Sequence, residues 1–230
     1  MGLNEKFFAS AAAEPVVPAG NIKLDLDASD TNSYPGTGTT WFDLTNNNND
    51  GTISGASWNS GGYFIFNGST SIVTVPANVT NTNSVCTIEA WAQGSSFSNS
   101  GNDILWQTAN GGFFTAIISF ANSFRVLMRS SSGNVSEPIT YALSNFNTTD
   151  WYHIVITYGG LNGTVTAYVD GNVVDTGSVP SSVKTYTSNN TIGGEVGNTN
   201  LGWNGQMSKV RIYDIVLTPT QVQDLYAEGR

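Results

Sequence analysis

Cysteine and positive charge are both scarce in this sequence, and each shortage excludes a class of protein. Cys86 is the only cysteine among 230 residues, so no disulfide forms within the chain and the fold must rest on its core. The eight Lys and Arg residues are scattered singly and stand against 17 Asp and Glu, which gives a formal net charge of −9. Because nucleic acid binding depends on clustered cations, we expect none.

Long apolar stretches are missing too. No run approaches the ~18 residues that a membrane-spanning helix needs, so we expect no membrane insertion. The first residues make a poor secretory signal, because their apolar stretch is short and Glu5 stands where positive charge belongs. Leu3, Phe7 and Phe8 recur there at helical spacing. We predict that residues 1–20 are a docking arm whose apolar side chains bind a partner; packing on its own domain is the alternative.

Short alternating segments fill the remainder, residues 21–230, which we predict to be one domain. "IKLDLDA", from Ile22, alternates apolar and polar residues with the period of two that is typical of a half-buried strand. "VCTIEAWA", around Cys86, is apolar on both faces, as a central strand would be. Strands at this density favour an all-β fold of two antiparallel sheets packed as a sandwich.

Turn and cap residues sharpen this prediction. The strands "GGYFIFNG" and "SIVTVP" are interpreted as a pair around Asn67-Gly68. Asp170-Gly171 predicts a two-residue hairpin with Gly171 at positive φ. Near the end, Thr218, Pro219 and Gln221 form the pattern of a capped helix.

Five motifs in order resemble one family: "WFDLTNNNNDGT", "YFIFNGSTSIVTVP", "CTIEAWAQ", "WYHIVITYGGLNGTVTAYVDGNVVDTG" and "IGGEVGNTNLGWNGQMSKVRIYDIVLTPTQVQDLYAEG". Together they look like the concanavalin A-like, laminin G type jelly roll, and the resemblance covers Ile22 to Gly229. It implies an antiparallel two-sheet jelly roll with a short C-terminal helix. It also implies that the run of asparagines is a loop leading into the next strand, which suits the turn chemistry of Asn and Asp.

The candidate catalytic side chains are not spaced as a known mechanism requires. Retaining glycosidases use two carboxylates about 5–5.5 Å apart, and the six glutamates are never spaced to supply such a pair. Asp25 and Asp27 alternate on the first strand but have no partner acid. His153, the only histidine, has no nucleophile motif around it and is interpreted as structural. We therefore predict a protein that is not an enzyme.

Calcium is a weaker expectation that the resemblance raises, because laminin G type domains often hold Ca²⁺ at a sandwich rim through carboxylate and carbonyl oxygens. Asp43, Asp50 and Asp103 are the candidate ligands. Around the Phe-Asn-Gly turn this chain has the uncharged Asn67, Ser69 and Ser71 where the family often has acidic residues. We therefore expect no cofactor, with Ca²⁺ as the alternative.

Glycan binding requires aromatic platforms beside amides and carboxylates. Trp58, Trp106 and Trp203 are the candidates, because polar loops flank Trp58 and Trp203; core packing is the alternative for each.

Two functional hypotheses follow from these features. The first is a non-enzymatic structural protein of a virion, since the chain is similar to decoration or fibre components of tailed phages. It would dock on other virion proteins through its arm and form a homo-oligomer. The second is a carbohydrate-binding adhesion module that recognises host surface glycans.

Overall fold

In a computed structural model, the described part of the chain forms two antiparallel β-sheets of eight strands each, followed by one α-helix. The structure describes residues 17–80, 84–95, 103–108, 114–120, 123–142, 144, 146–184 and 188–230. None of the helices in these ranges is both long and apolar enough to cross a membrane. The predicted all-β sandwich is confirmed.

Sheet 1 contains the first, the longest and several central strands of the chain: β1 (Ile22–Asp27), β4 (Ser57–Asn59), β5 (Tyr63–Asn67), β7 (Cys86–Gly94), β12 (Tyr152–Tyr158), β13 (Thr164–Val169), β14 (Asn172–Ser178) and β16 (Asn204–Tyr213). Its order is β14-β13-β12-β7-β16-β5-β4, and β1 pairs with the second half of β16. The last of the described strands thus pairs with the first.

Sheet 2 contains the other eight strands: β2 (Thr40–Trp41), β3 (Gly51–Ser54), β6 (Ile72–Val75), β8 (Asp103–Gln107), β9 (Phe114–Phe120), β10 (Ser123–Arg129), β11 (Val135–Ala142) and β15 (Asn190–Ile192). Their order is β11-β10-β9-β8-β15-β6-β3-β2. The sequence patterns do not single out β11, because Pro138 interrupts it. An edge strand tolerates the missing N–H, and β11 lies at the edge.

One face of each sheet contributes to a shared core. On β7, Ile88, Ala90 and Ala92 are buried in that core, while the intervening residues point to the other face. Trp41 and Trp106 are among its largest fully buried side chains. Aromatic burial on this scale supplies the apolar area that stabilises a fold without disulfides.

A helix covers the outer face of sheet 1. It is α1 (Pro219–Glu228), and its capping box is formed as predicted: Gln221 N–H donates to Thr218 Oγ1 at 3.2 Å, and Thr218 N–H donates to Gln221 Oε1 at 2.9 Å. Val222 and Leu225 pack into a second buried cluster beneath the helix. The other members of that cluster come from the sheet and its flanking segments: Val17, Val155, Tyr168, Tyr213 and Leu217.

The two predicted hairpins have different outcomes. Asp170 and Gly171 have φ of 50° and 76°, and Val169 pairs with Asn172, so this two-residue hairpin is confirmed. The pairing around Asn67-Gly68 is wrong, because β5 lies in sheet 1 and β6 in sheet 2. The turn residues are correct, but local turn chemistry does not decide which sheet the next strand joins.

The run of asparagines is a loop that covers an edge of the sheet, which confirms its structural interpretation. Asn49 Nδ2 donates to the backbone oxygen of Lys23 at 2.7 Å, and Asn47 Nδ2 donates to that of Ile22 at 3.0 Å. The free edge of β1 is thereby capped by side chains and is unavailable for pairing with another chain.

The predicted arm lies mostly outside the described residues, and these include Leu3, Phe7 and Phe8. Val17, near its end, is buried in the cluster beneath α1, and directly after the predicted arm Asn21 Nδ2 donates to Asp214 Oδ1 at 2.9 Å.

Candidate functional site

Two of the three tryptophans predicted to bind glycans are buried. Trp106 is 1% exposed and Trp203 is 2% exposed. Both rings belong to the core between the sheets, and a ligand in solvent cannot stack on them. The prediction that they form a glycan platform is wrong: loop residues flank Trp203 in sequence, but its side chain, directly before β16, is buried in the core.

Trp58 is half-buried on the edge strand β4. Its Nε1 donates to the backbone oxygen of Ala28 at 3.0 Å, and its ring lies 5.7 Å from that of Tyr34. The indole nitrogen is thus used by the fold. Trp151, which the sequence did not single out, is the other half-buried tryptophan; its ring lies 5.7 Å from that of Tyr63.

The three candidate calcium ligands do not come together. Asp43 and Asp50 belong to the loop between β2 and β3, whereas Asp103 begins β8, and three strands of sheet 2 separate β8 from β2. Both oxygens of Asp43 accept hydrogen bonds, including those from the backbone N–H groups of Asp25 and Asn49 at 2.9 Å each. Asp43 N–H donates to Asp50 at 2.8 Å.

An Asp oxygen surrounded by N–H donors does not fit a cation. Asp43 and Asp50 therefore stabilise a loop. The structure does not bring them together with Asp103 as one set of calcium ligands. Within the ranges that the structure describes, no group of three or more His, Cys, Asp or Glu side chains is placed to hold a metal ion.

A pocket of 210 Å³ lies at the rim of the sandwich, where two loops meet. One loop is the connection from β5 to β6, and the other is the connection from β15 to β16. We call this the rim pocket; it is lined by Ser69, Thr70, Ile72, Glu195, Gly197, Asn198 and Thr199. It combines hydroxyl, amide and carboxylate groups with one apolar wall.

Local hydrogen bonds shape the first loop. The side-chain oxygen of Asn67 accepts from the backbone N–H groups of Ser69, Thr70 and Ser71 at 3.0, 2.9 and 3.1 Å. This arrangement arches the chain from one sheet to the other and positions Ser69 and Thr70 at the pocket.

The buried Trp203 holds the two loops together through its backbone. Its carbonyl accepts from Gly68 N–H and its own N–H donates to the carbonyl of Gly193, both at 2.8 Å. Trp203 thus positions the rim pocket without lining it, a role that its sequence context did not reveal.

Glycines allow the loops to approach this closely. A Cβ at Gly202 would overlap the backbone nitrogen of Ser69, and one at Gly194 would lie 2.9 Å from Ile72 Cγ2. A backbone contact of this kind cannot be relieved by a rotamer change. The rim pocket is consequently preorganised.

Glu195 and Asn198 provide the directional groups of the rim pocket. Asn198 Nδ2 donates to Glu195 Oε2 at 3.1 Å, and an isolated β-bridge joins the two residues. Glu195 Oε1 has no hydrogen-bond partner within the described residues, and the other polar side chains that line the pocket are neutral. Such a carboxylate accepts hydrogen bonds from hydroxyl or ammonium donors of a ligand.

A larger cleft, of 330 Å³, lies between residues 19–22 and the asparagine-rich loop. Its polar groups are used by the fold: Asp25 Oδ1 accepts from Arg211 Nε at 2.9 Å, and Asn47 caps β1. Burial raises the pKa of Asp25, although Arg211 opposes this effect. We therefore favour the rim pocket as the binding site.

The buried acid Glu89 of sheet 1 belongs to a structural cluster. Glu89 and His153 are both 0% exposed, with His153 Nε2 3.1 Å from Glu89 Oε1 and the Tyr213 hydroxyl donating to Glu89 Oε2. Burial would raise the pKa of Glu89, but the hydrogen bond from His153 and the charge of Arg211 outweigh it and hold the pKa below its usual value.

This cluster lies beneath α1 and is closed to a ligand. The ring of Tyr226, on the helix, stacks 5.9 Å from that of His153. The arrangement agrees with the structural role predicted for His153. Asp27, which alternates with Asp25 on β1, forms an ion pair with Lys209, whose Nζ lies 3.5 Å from Asp27 Oδ2.

The strand order, the two stacked sheets and the loop-built rim pocket define a jelly roll of the concanavalin A type. A family model described as "Concanavalin A-like lectin/glucanases superfamily" matches residues 67–223, and the chain belongs to this superfamily. A comparison with curated proteins finds no significant match.

Solved structures of toxin binding domains share the fold. The binding domain of Paraclostridial Mosquitocidal Protein 1 superposes with a TM-score of 0.70 at 18% identity over 91% of this chain. The receptor binding domain of botulinum neurotoxin C/D mosaic serotype gives 0.73 at 12% identity over 92%. The match covers 52% of each of those chains, so this chain spans about half the length of these neighbours. At such identities the likeness concerns the fold.

Proposed function

We propose that this domain is a non-enzymatic binding module that recognises a glycan through the rim pocket. The observation that carries the proposal is the preorganised pocket whose lining combines the hydrogen-bonded pair Glu195 and Asn198 with the hydroxyl-bearing Ser69, Thr70 and Thr199. Membership of a superfamily that is named for lectins and glucanases supports carbohydrate as the ligand class. The neighbours named as binding domains support a binding role.

The ligand that suits this pocket is one neutral or amino sugar ring. A volume of 210 Å³ is below the ~300–1,000 Å³ that drug-sized ligands occupy, so the pocket takes a single ring or the end of a chain. Glu195 would repel an acidic sugar and accept hydrogen bonds from hydroxyls. A single small site binds weakly, so avidity from several copies would be required for firm attachment.

The number of carboxylates in the rim pocket supports binding of a sugar without hydrolysis. Glycoside hydrolysis by either common mechanism uses a pair of carboxylates, separated by about 5–5.5 Å or 6.5–9.5 Å. Glu195 is the single carboxylate among the residues that line the pocket. We therefore propose recognition of the sugar with no cleavage.

A glycan array followed by titration of the best ligand tests the proposal. Glu195→Gln preserves the shape of the side chain, and we expect it to weaken binding about tenfold or more, because hydrogen bonds to a charged group contribute ~1.5–3 kcal/mol. Asp224→Asn, on the exposed face of α1, is the control with the same change of charge. Equal binding by wild type and Glu195→Gln, or release of reducing sugar by the wild type, would refute the proposal.

A virion role is a separate proposal that rests on the sequence resemblance and on the predicted arm. In that proposal residues 1–20 dock the protein, as a homo-oligomer, on other virion proteins. Changing Phe7 and Phe8 to Ser should release the protein from its particle while the melting temperature stays unchanged. Retention of the double variant on the particle would count against the arm.

A further inference from the structure

Two aromatic side chains meet on sheet 1, and one of them, Tyr63, lies at the opposite end of β5 from the loop that lines the rim pocket. Tyr63 begins β5 and Trp151 directly precedes β12, and two strands, β7 and β16, lie between β5 and β12. The ring centroids are nevertheless 5.7 Å apart, at an interplanar angle of 60°. Both side chains are half-buried, so part of this aromatic pair faces solvent.

A guanidinium group lies on the aromatic pair. The Cζ atom of Arg230 is 4.2 Å from the ring centroid of Trp151 and 5.7 Å from that of Tyr63. Both distances fall within the ~6 Å range of cation–π attraction. The preceding backbone is anchored by Lys209 Nζ, which donates to the carbonyl of Gly229 at 3.3 Å.

Arg230 differs from the arginines that serve the fold. Arg125 makes two hydrogen bonds to Glu137, at 2.8 and 2.7 Å, and Arg211 donates to Asp25 at 2.9 Å. Within the part of the chain that the structure describes, Arg230 is exposed and has no ion pair or hydrogen bond from its side chain. Its attachment to the two rings is therefore weak enough to be exchanged.

We propose that Tyr63 and Trp151 form a binding site for a guanidinium group. Arg230 of the same chain occupies this site in the structure, and an arginine side chain of a basic partner protein can replace it. The proposal is independent of the glycan function, because it uses none of the residues of the rim pocket.

Charge and geometry favour an arginine as the occupant. The chain carries a formal net charge of −9, and the exposed Asp150 directly precedes Trp151. A cationic partner is thus attracted before it contacts the rings. A guanidinium is planar and weakly hydrated, so it stacks on an aromatic face better than the compact, strongly hydrated ammonium of lysine.

Calorimetric titration with two blocked peptides, tri-arginine and tri-lysine, tests this site. The peptides have the same charge, so a preference for tri-arginine that disappears when the rings are replaced reports stacking of the guanidinium. Arg230→Ala removes the internal competitor and should strengthen tri-arginine binding about two- to fivefold, the effect expected of an exposed cation–π contact. Arg129→Ala removes an exposed arginine on sheet 2 and is the control.

Replacement of the rings completes the test. Trp151→Leu, in the Arg230→Ala background, should weaken tri-arginine binding at least fivefold. Tyr63→Leu provides the second variant if Trp151→Leu lowers the melting temperature. Equal binding of the two peptides, equal gains from Arg230→Ala and Arg129→Ala, or full binding after loss of either ring would overturn the proposal.

Discussion

Gly202→Ala tests whether tight contact between the two loops builds the rim pocket. The backbone of Gly202 does not lie at positive φ, so alanine is compatible with its conformation. The new Cβ would overlap the backbone nitrogen of Ser69, and the two loops must separate to accommodate it. Overpacking of this kind costs about 1–3 kcal/mol, which corresponds to a fall in melting temperature of about 2–12 °C for a domain of this size.

Two other glycines provide controls for this change. Gly20→Ala meets no atom within 4 Å and has no positive φ, so it should change stability by less than about 0.5 kcal/mol. Gly197 has a φ of 78° but open space around it, so Gly197→Ala shows the effect of backbone strain on stability without overlap; because Gly197 also lines the rim pocket, this variant is a control for stability and not for binding.

Differential scanning calorimetry measures stability and a glycan titration measures binding for the three variants. We expect Gly202→Ala to lower both, Gly197→Ala to lower stability by about 1 kcal/mol, and Gly20→Ala to lower neither. A Gly202→Ala protein that melts and binds like the wild type would refute the idea that close packing of the loops forms the site.

Two further predictions concern sheet 1. Gly171→Val places a β-branched residue at a φ of 76° with its Cβ 3.3 Å from the ring of Tyr226, and it should cost at least about 1 kcal/mol; an unchanged thermal melt would contradict this. The pKa of Glu89 is lowered by His153 and Arg211 against the effect of burial, so its stabilisation is complete above its ordinary pKa and is lost as pH falls through the lowered value. Glu89→Gln should reduce stability at neutral pH and flatten its dependence on pH below ~4.5; parallel acid unfolding curves would contradict this.

The features that the sequence determined by itself depend on neighbours within a few residues. Alternating apolar residues predict β1, Thr218 and Gln221 predict the capped helix, and Asp170-Gly171 predicts its hairpin, because each pattern acts through local backbone geometry. The superfamily and the two-sheet architecture follow from several such motifs in order.

The tertiary structure alone decided what depends on distant parts of the chain. The sequence correctly predicts a turn at Asn67. The sheet that β6 joins is decided by its pairing with β15 and β3, which places β6 in the sheet opposite β5. The sequence also did not determine which tryptophans are exposed, because burial depends on which strands pack above each ring. In the structure Trp203 is buried and Trp151 is half-buried. The rim pocket joins loops that are more than a hundred residues apart, and their contact exists only once the two sheets have assembled.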